Sequence, residues 1–204
     1  MNRLSCVRCG DSIHPDTAAA HNGLCMPCVR GNTRSIQERQ AERQRQLEAE
    51  RAYEASPERQ YWLALVRQVY DPGRGFDTLG LGDRQYWLIN VLSGEVHNGG
   101  FDQFFSNSSG DYFQETVDAL TEVGDSASLK LMMQAKALLF GDADVPTDRQ
   151  ARYAAMATAD DESEQAQEVS RQLEVLDQRF WAQADHVCET LEALARQHRL
   201  YDFS

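Results

Sequence analysis

The chain has 204 residues and a formal net charge of −12, from 20 Lys and Arg against 32 Asp and Glu. Apolar residues make up 42% and charged residues 25%, the balance of a soluble globular protein with a buried core. No apolar run approaches the roughly 20 residues of a membrane helix. The opening Met-Asn-Arg-Leu-Ser-Cys lacks the apolar stretch of a secretory signal, so a cytoplasmic location is expected. The acidic balance argues against direct nucleic-acid binding, because phosphate contacts need Lys and Arg.

Charge divides the chain. Residues 1–56 carry a net +1 and residues 57–204 a net −13. Three segments are expected: a small module over 1–32, a polar connecting helix over 33–56, and an acidic all-helical domain over 57–204.

The module is marked by Cys6-x2-Cys9-x15-Cys25-x2-Cys28, a zinc-ribbon spacing. Each C-x-x-C turn aims two thiolates at one metal, and two turns close a tetrahedral S4 shell. Gly10 and Pro27 suit the two turns. So short a segment has too little core to fold alone, and metal binding would supply most of its folding free energy. Two disulfides are the alternative, disfavoured in a reducing compartment. The predicted cofactor is structural zinc on Cys6, Cys9, Cys25 and Cys28, with no open position for catalysis. Cys188 reads as a small buried hydrophobe in a helix.

Residues 33–55 lack Gly and Pro. They alternate charge at i,i+3 through Arg39/Glu42, Glu42/Arg45, Arg45/Glu48, Glu48/Arg51 and Arg51/Glu54, a pattern that supports a solvated helix. Ser56-Pro57 then starts a helix with Tyr61, Trp62, Leu65, Val66 and Val69 on one side, and Asp71-Pro72-Gly73 stops it. Asp83 is expected to cap the next helix, with Tyr86, Ile89, Leu92 and Val96 inward. Another helix runs from about Asp111 to Gly124 and one from Ser126 to Phe140. Pro146 opens a short one. The apolar steps Val169, Leu173, Leu176, Phe180, Ala184, Val187, Leu191 and Leu194 predict one long helix or two collinear ones. The fold class is all-α: a multi-helix domain joined by a polar helix to the four-cysteine ribbon.

The densest segment is Glu95-Val96-His97-Asn98-Gly99-Gly100-Phe101-Asp102-Gln103-Phe104-Phe105-Ser106-Asn107 and its continuation to Gly110-Asp111. Asn98-Gly99-Gly100 breaks a helix. Phe101, Phe104 and Phe105 plug the core, and Asn98, Gln103 and Asn107 are expected to satisfy backbone groups at the breaks. His97 is expected to cap the helix end as a partly buried donor.

This segment resembles the signature of the bacterial DNA-mimic protein family of small acidic helical proteins. The residues that carry the resemblance are Glu95, Asn98, Gly99, Gly100, Phe101, Gln103, Phe104, Phe105, Asn107 and Gly110-Asp111. Ala119-Leu120 with Gly124 and Leu176-Asp177-x-x-Phe180 match downstream. The resemblance spans about 57–204, leaves out the cysteine module and is mostly structural. It implies a non-enzymatic protein whose surface resembles duplex DNA and occupies the DNA-binding face of a transcription regulator or another basic DNA-binding protein.

Charge arithmetic makes this conditional on clustering. A compact domain of this size is about 40 Å across, a length over which duplex DNA carries roughly 23 charges. Residues 142–177 supply the cluster through Asp142, Asp144, Asp148, Asp160, Asp161, Glu162, Glu164, Glu168, Glu174 and Asp177, opposed by Arg149, Arg152 and Arg171. A two-fold homodimer would double the area. The alternatives are an immunity-type protein neutralising a basic toxin or nuclease, a zinc-ribbon recognition module on a helical scaffold, and acids that serve solubility alone. No catalytic constellation stands out: Glu95 and His97 diverge on a helix, and there is no phosphate-binding glycine loop.

Overall fold

The computed structural model describes residues 3–31, 36–159 and 163–203. They form two compact units, Met1–Gln60 and Tyr61–Ser204. Asp160, Asp161 and Glu162 of the expected acidic surface lie outside the described residues.

The first unit begins with a minimal antiparallel hairpin, β1 (Leu4–Ser5) with β2 (Ser12–Ile13), in which Leu4 pairs with Ile13. Two short helices follow, α1 (Pro15–Ala20) and α2 (Met26–Val29). Its core is small: Cys6, Ile13, Ala18, Cys25 and Cys28 are buried. In the polar α3 (Ile36–Glu54) none of the described side chains, residues 38–54, is buried, as its charge pattern leads one to expect. Then α4 (Pro57–Val69) starts where Ser56 Oγ accepts the Arg59 amide (3.2 Å), the cap expected of Ser56-Pro57.

Among its described residues the second unit has helices and turns and no strand. Its axis is α5 (Leu81–Ser106), which buries Tyr86, Trp87, Leu88, Ile89, Leu92 and Val96. A 3₁₀ turn, Ser108–Tyr112, leads into α6 (Phe113–Val123), and α7 (Ser126–Phe140) follows. Gly124 closes α6 in the left-handed region (φ 78°), where a side chain would be strained. The short α8 (Arg149–Ala155) precedes α9 (Glu164–Trp181) and α10 (Ala184–His198). Contacts to α5 from α6, α9 and α10 enclose one apolar core.

Several local expectations change. The cap of α5 is Gly80, not Asp83; the Asp83 carboxylate instead accepts the Tyr61 hydroxyl (2.5 Å), linking α5 to α4. Asp148 rather than Pro146 starts the short helix, its side chain accepting the Ala151 amide (2.8 Å). The helix expected from Asp111 begins at Phe113, after the 3₁₀ turn. Of the two forms expected for the final pattern, one long helix or two, the chain has two, separated at Ala182 and Gln183. Cys188 is exposed, on the outer side of α10, while Val187 and Leu191 face inward. No helix among the described residues is long and apolar enough to cross a membrane.

Candidate functional site

Two features stand apart from ordinary core packing. The first is the cysteine cluster. The sulfurs of Cys6, Cys9, Cys25 and Cys28 lie within 4.8 Å of one another, close enough to hold a metal ion. Cys9 Sγ and Cys25 Sγ are 3.6 Å apart, near the roughly 3.8 Å edge of a tetrahedron with 2.3 Å metal–sulfur bonds. The turns provide this. Gly10 at φ 76° closes the first turn, donating to Cys6 O at 2.9 Å. Cys25 caps α2, with Pro27 in its first turn.

The electrostatics prepare one thiolate first. Burial of Cys6 opposes its ionisation, but amides of Cys25, Cys9 and Arg8 outweigh this and lower it to about 6; the Cys25 amide lies 3.2 Å from its sulfur. The Asp11 amide favours the Cys9 thiolate, yet burial and three neighbouring thiols push Cys9 up overall. Cys28 rises with burial and the proximity of Cys25. Cys9 and Cys28 are thus held toward the thiol form by burial and neighbouring sulfurs, and a bound cation would favour their thiolates. His14 Nδ1 accepts the Asp16 amide (3.3 Å) at the start of α1.

The second feature is the broken middle of the second unit, Tyr61–Ser204. Within α5, Gly99 (φ −157°, ψ 21°) and Gly100 (φ 77°, ψ −176°) leave helical geometry, as the Asn98-Gly99-Gly100 run predicts. A Cβ on Gly100 would run into the Asp177 carboxylate. The break frees backbone groups that must find partners. Asp177 Oδ1 accepts the Phe101 amide (2.8 Å) and so caps the restarted helix. Trp181 Nε1 donates to Val96 O (2.9 Å), before the break. Phe101, Phe104 and Phe105 are fully buried beyond it.

The far end of the restarted helix is held by Arg152, at 0% exposure. Its guanidinium donates to Phe105 O (2.6 Å), Asn107 O (2.6 Å), Pro146 O (2.9 Å), Thr147 O (3.0 Å) and Asp111 Oδ1 (2.7 Å). Cations favour helix C-termini, whose last carbonyls are unpaired. Glu95 is the other hub: it accepts from Gln103 Nε2 (2.6 Å), Asn107 Nδ2 (3.0 Å) and Ser109 Oγ (2.9 Å). Gln103 and Asn107 thus serve the Glu95 carboxylate with their amides rather than backbone groups at the breaks. Asn98 is exposed. His97 is also exposed, with its Nδ1 donating to Ser93 O (2.7 Å) one turn back, and does not cap the helix end.

Of the acidic residues singled out from sequence, Asp142, Asp144, Glu164 and Glu174 are exposed. Asp148 is exposed but engaged as the α8 cap. Glu168 accepts from Arg171 Nη2 (2.7 Å) and Gln172 Nε2 (2.8 Å), and these contacts hold its carboxyl below the usual range. Of the opposing cations, Arg152 is withdrawn into the core and Arg149 donates to Ser106 O (3.0 Å). Sequence reasoning missed Arg152 and Asp177 as organisers of the motif.

The second unit is helical and built on a broken-helix motif, and the first carries four cysteines placed to hold a metal ion. The model of the family described as DMP19-like protein matches residues 77–198, more than half of the chain. The chain therefore belongs to the DMP19-like family, the DNA-mimic type that its central motif resembles. No curated protein and no solved structure matches it.

Proposed function

We propose that this protein is a non-enzymatic DNA mimic, whose acidic helical unit occupies the DNA-binding face of a basic protein such as a transcription regulator. Membership of the DMP19-like family carries the reading. The fate of the arginines supports it: Arg152 is spent inside the core, so it does not neutralise the surface that Asp142, Asp144, Glu164 and Glu174 present. Asp160, Asp161 and Glu162 belong to the same proposed surface, as do Asp148 and Glu168 with part of their capacity already used. A homodimer would extend it. Carboxylates sharing one face would raise the local concentration of a basic partner and make its binding salt-dependent. In this reading the protein acts in the cytoplasm, in regulation of transcription.

In the same proposal the four cysteines hold zinc. Thiolate donors at tetrahedral spacing suit zinc, and a closed S4 shell is structural rather than catalytic. Cys6, Cys9, Cys25 and Cys28 then fix the fold of the first unit.

The test begins with capture of partners by the tagged full chain at low and high salt. A captured DNA-binding protein is then challenged with its DNA in the presence of the full chain. The wild type is expected to displace DNA, with displacement falling steeply as salt rises. The variant Asp142→Lys/Asp144→Lys/Glu164→Lys/Glu174→Lys is expected to fail. Undiminished displacement by this variant would refute the assigned surface. A single tight partner with toxic activity would favour the neutralising alternative.

A further inference from the structure

We infer that a cavity between the α6–α7 corner and α10 receives one guanidinium group, the tip of an arginine side chain on a basic protein partner. The inference deepens the DNA-mimic reading and rests on it for the identity of the partner. The cavity has a volume of about 310 Å³, and its polar wall includes Glu122, Asp125, His186 and Glu189. No Lys or Arg lines it.

Asp125 makes this a built site rather than a patch of surface acids. It is 2% exposed. Its Oδ1 accepts the Ser128 amide (3.0 Å) and His186 Nε2–H (3.1 Å). Its Oδ2 is buried with no hydrogen-bond partner. A buried carboxylate oxygen left without a donor is costly, and such groups are rare in folded proteins. A ligand that donates to it recovers that cost. Glu122 is held as well: the buried Gln85 amide donates to its Oε2 at 2.6 Å. Two of the three carboxylates are therefore positioned by the fold before any ligand arrives.

The spread of the acceptors selects the ligand. A divalent ion needs donors that converge on a point. Among the described residues, only the four cysteines bring three or more His, Cys, Asp or Glu donor atoms within 4.8 Å of one another. Glu122, Asp125 and Glu189 stand around a wider opening. A guanidinium meets that arrangement, because its five N–H donors fan out in a plane and reach several acceptors together. An ammonium concentrates three donors at one point and is more strongly hydrated. Leu194 and Ala193 in the lining give the aliphatic stem an apolar wall. DNA-binding faces reach phosphates with arginines. A mimic with a pocket for one of them adds shape selection to charge.

The test uses ¹⁵N-labelled full-length protein titrated with Nα-acetyl-arginine amide, its lysine counterpart and the neutral citrulline isostere. Saturable shifts are expected at the Gly124 and Asp125 amides and the His186 ring with the arginine compound, weaker ones with lysine and none with citrulline. Glu122→Gln/Glu189→Gln is expected to weaken arginine binding roughly tenfold or more. Glu48→Gln/Glu50→Gln, an equal charge change on α3, leaves it unchanged. The inference is overturned by absence of a saturable shift, by equal response to citrulline, by lysine binding as tightly as arginine, or by equal weakening in both variants. Its failure leaves the DNA-displacement result standing. Arginine-specific shifts without DNA displacement would keep the pocket and remove the mimic reading.

Discussion

Replacing Arg152 with Met tests the claim that a buried cation ties the central motif together. The side chain is fully buried and donates to four carbonyls and the Asp111 carboxylate. Met keeps much of the volume and removes every donor. Breaking a buried ion pair by deleting one partner costs about 3–5 kcal/mol. Each carbonyl left dry adds about 1–3 kcal/mol, although Asp111 is partly exposed and water will reach some acceptors. The expected loss is therefore about 4 kcal/mol or more, against a total stability of roughly 5–15 kcal/mol for a domain. The assay is urea unfolding followed by tryptophan fluorescence. Trp62, Trp87 and Trp181 all lie in the second unit, so the signal reports that unit alone. Asp111→Asn alone should cost less, because its carboxylate is the more exposed partner. Combined with Arg152→Met it should show non-additivity of about 1–3 kcal/mol. A loss below about 1 kcal/mol for Arg152→Met would refute the role assigned to the guanidinium.

Asp177 provides a pH test. Burial raises its carboxyl above the usual range; the Phe101 amide pulls it down, and Asp102 and Glu174 reinforce the rise. The folded chain then binds this proton more tightly than the unfolded chain, so the residue's contribution to stability falls as pH rises from the unfolded to the folded pKa. Asp177→Asn retains an acceptor for Phe101 and should flatten that fall, seen as the difference from wild type in melting temperature over roughly pH 3.5–7. Asp177→Ala loses the cap and should cost about 1 kcal/mol at neutral pH. Glu95→Gln places an amide group among the three donors from Gln103, Asn107 and Ser109. It should destabilise the second unit by about 1–3 kcal/mol, measured by the same urea curve. In the first unit, cobalt(II) is expected to bind as one ion per chain with the visible bands of a tetrahedral thiolate site. Cys6→Ser/Cys9→Ser should abolish them, and a site that survives would exclude the S4 assignment.

Much of the secondary structure was legible because its signals are local. Ser126–Phe140 followed by Gly141, the stop at Gly124, the Ser56-Pro57 start and the break at Asn98-Gly99-Gly100 depend on residues within a turn or two. The misread starts at Asp83 and Pro146 had the right residue types in the wrong roles. Asp83 is drawn to the Tyr61 hydroxyl 22 positions away. Residue preference buries Cys188, whereas its exposure follows from the helix phase set by Val187 and Leu191.

The sequence by itself determined the helical class, the division of charge, the two C-x-x-C pairs and the need for new hydrogen-bond partners at a broken helix. All follow from periodicity, composition and short-range geometry. Only the tertiary structure decided which residues answer that need. Asp177 reaches Phe101 across 76 positions, Trp181 reaches Val96 across 85, and Arg152 reaches Phe105 across 47. An isolated Arg in an acidic stretch reads as a surface counter-charge. Packing of α8 beside the Ser108–Tyr112 turn instead carries it into the core, where unpaired carbonyls hold it.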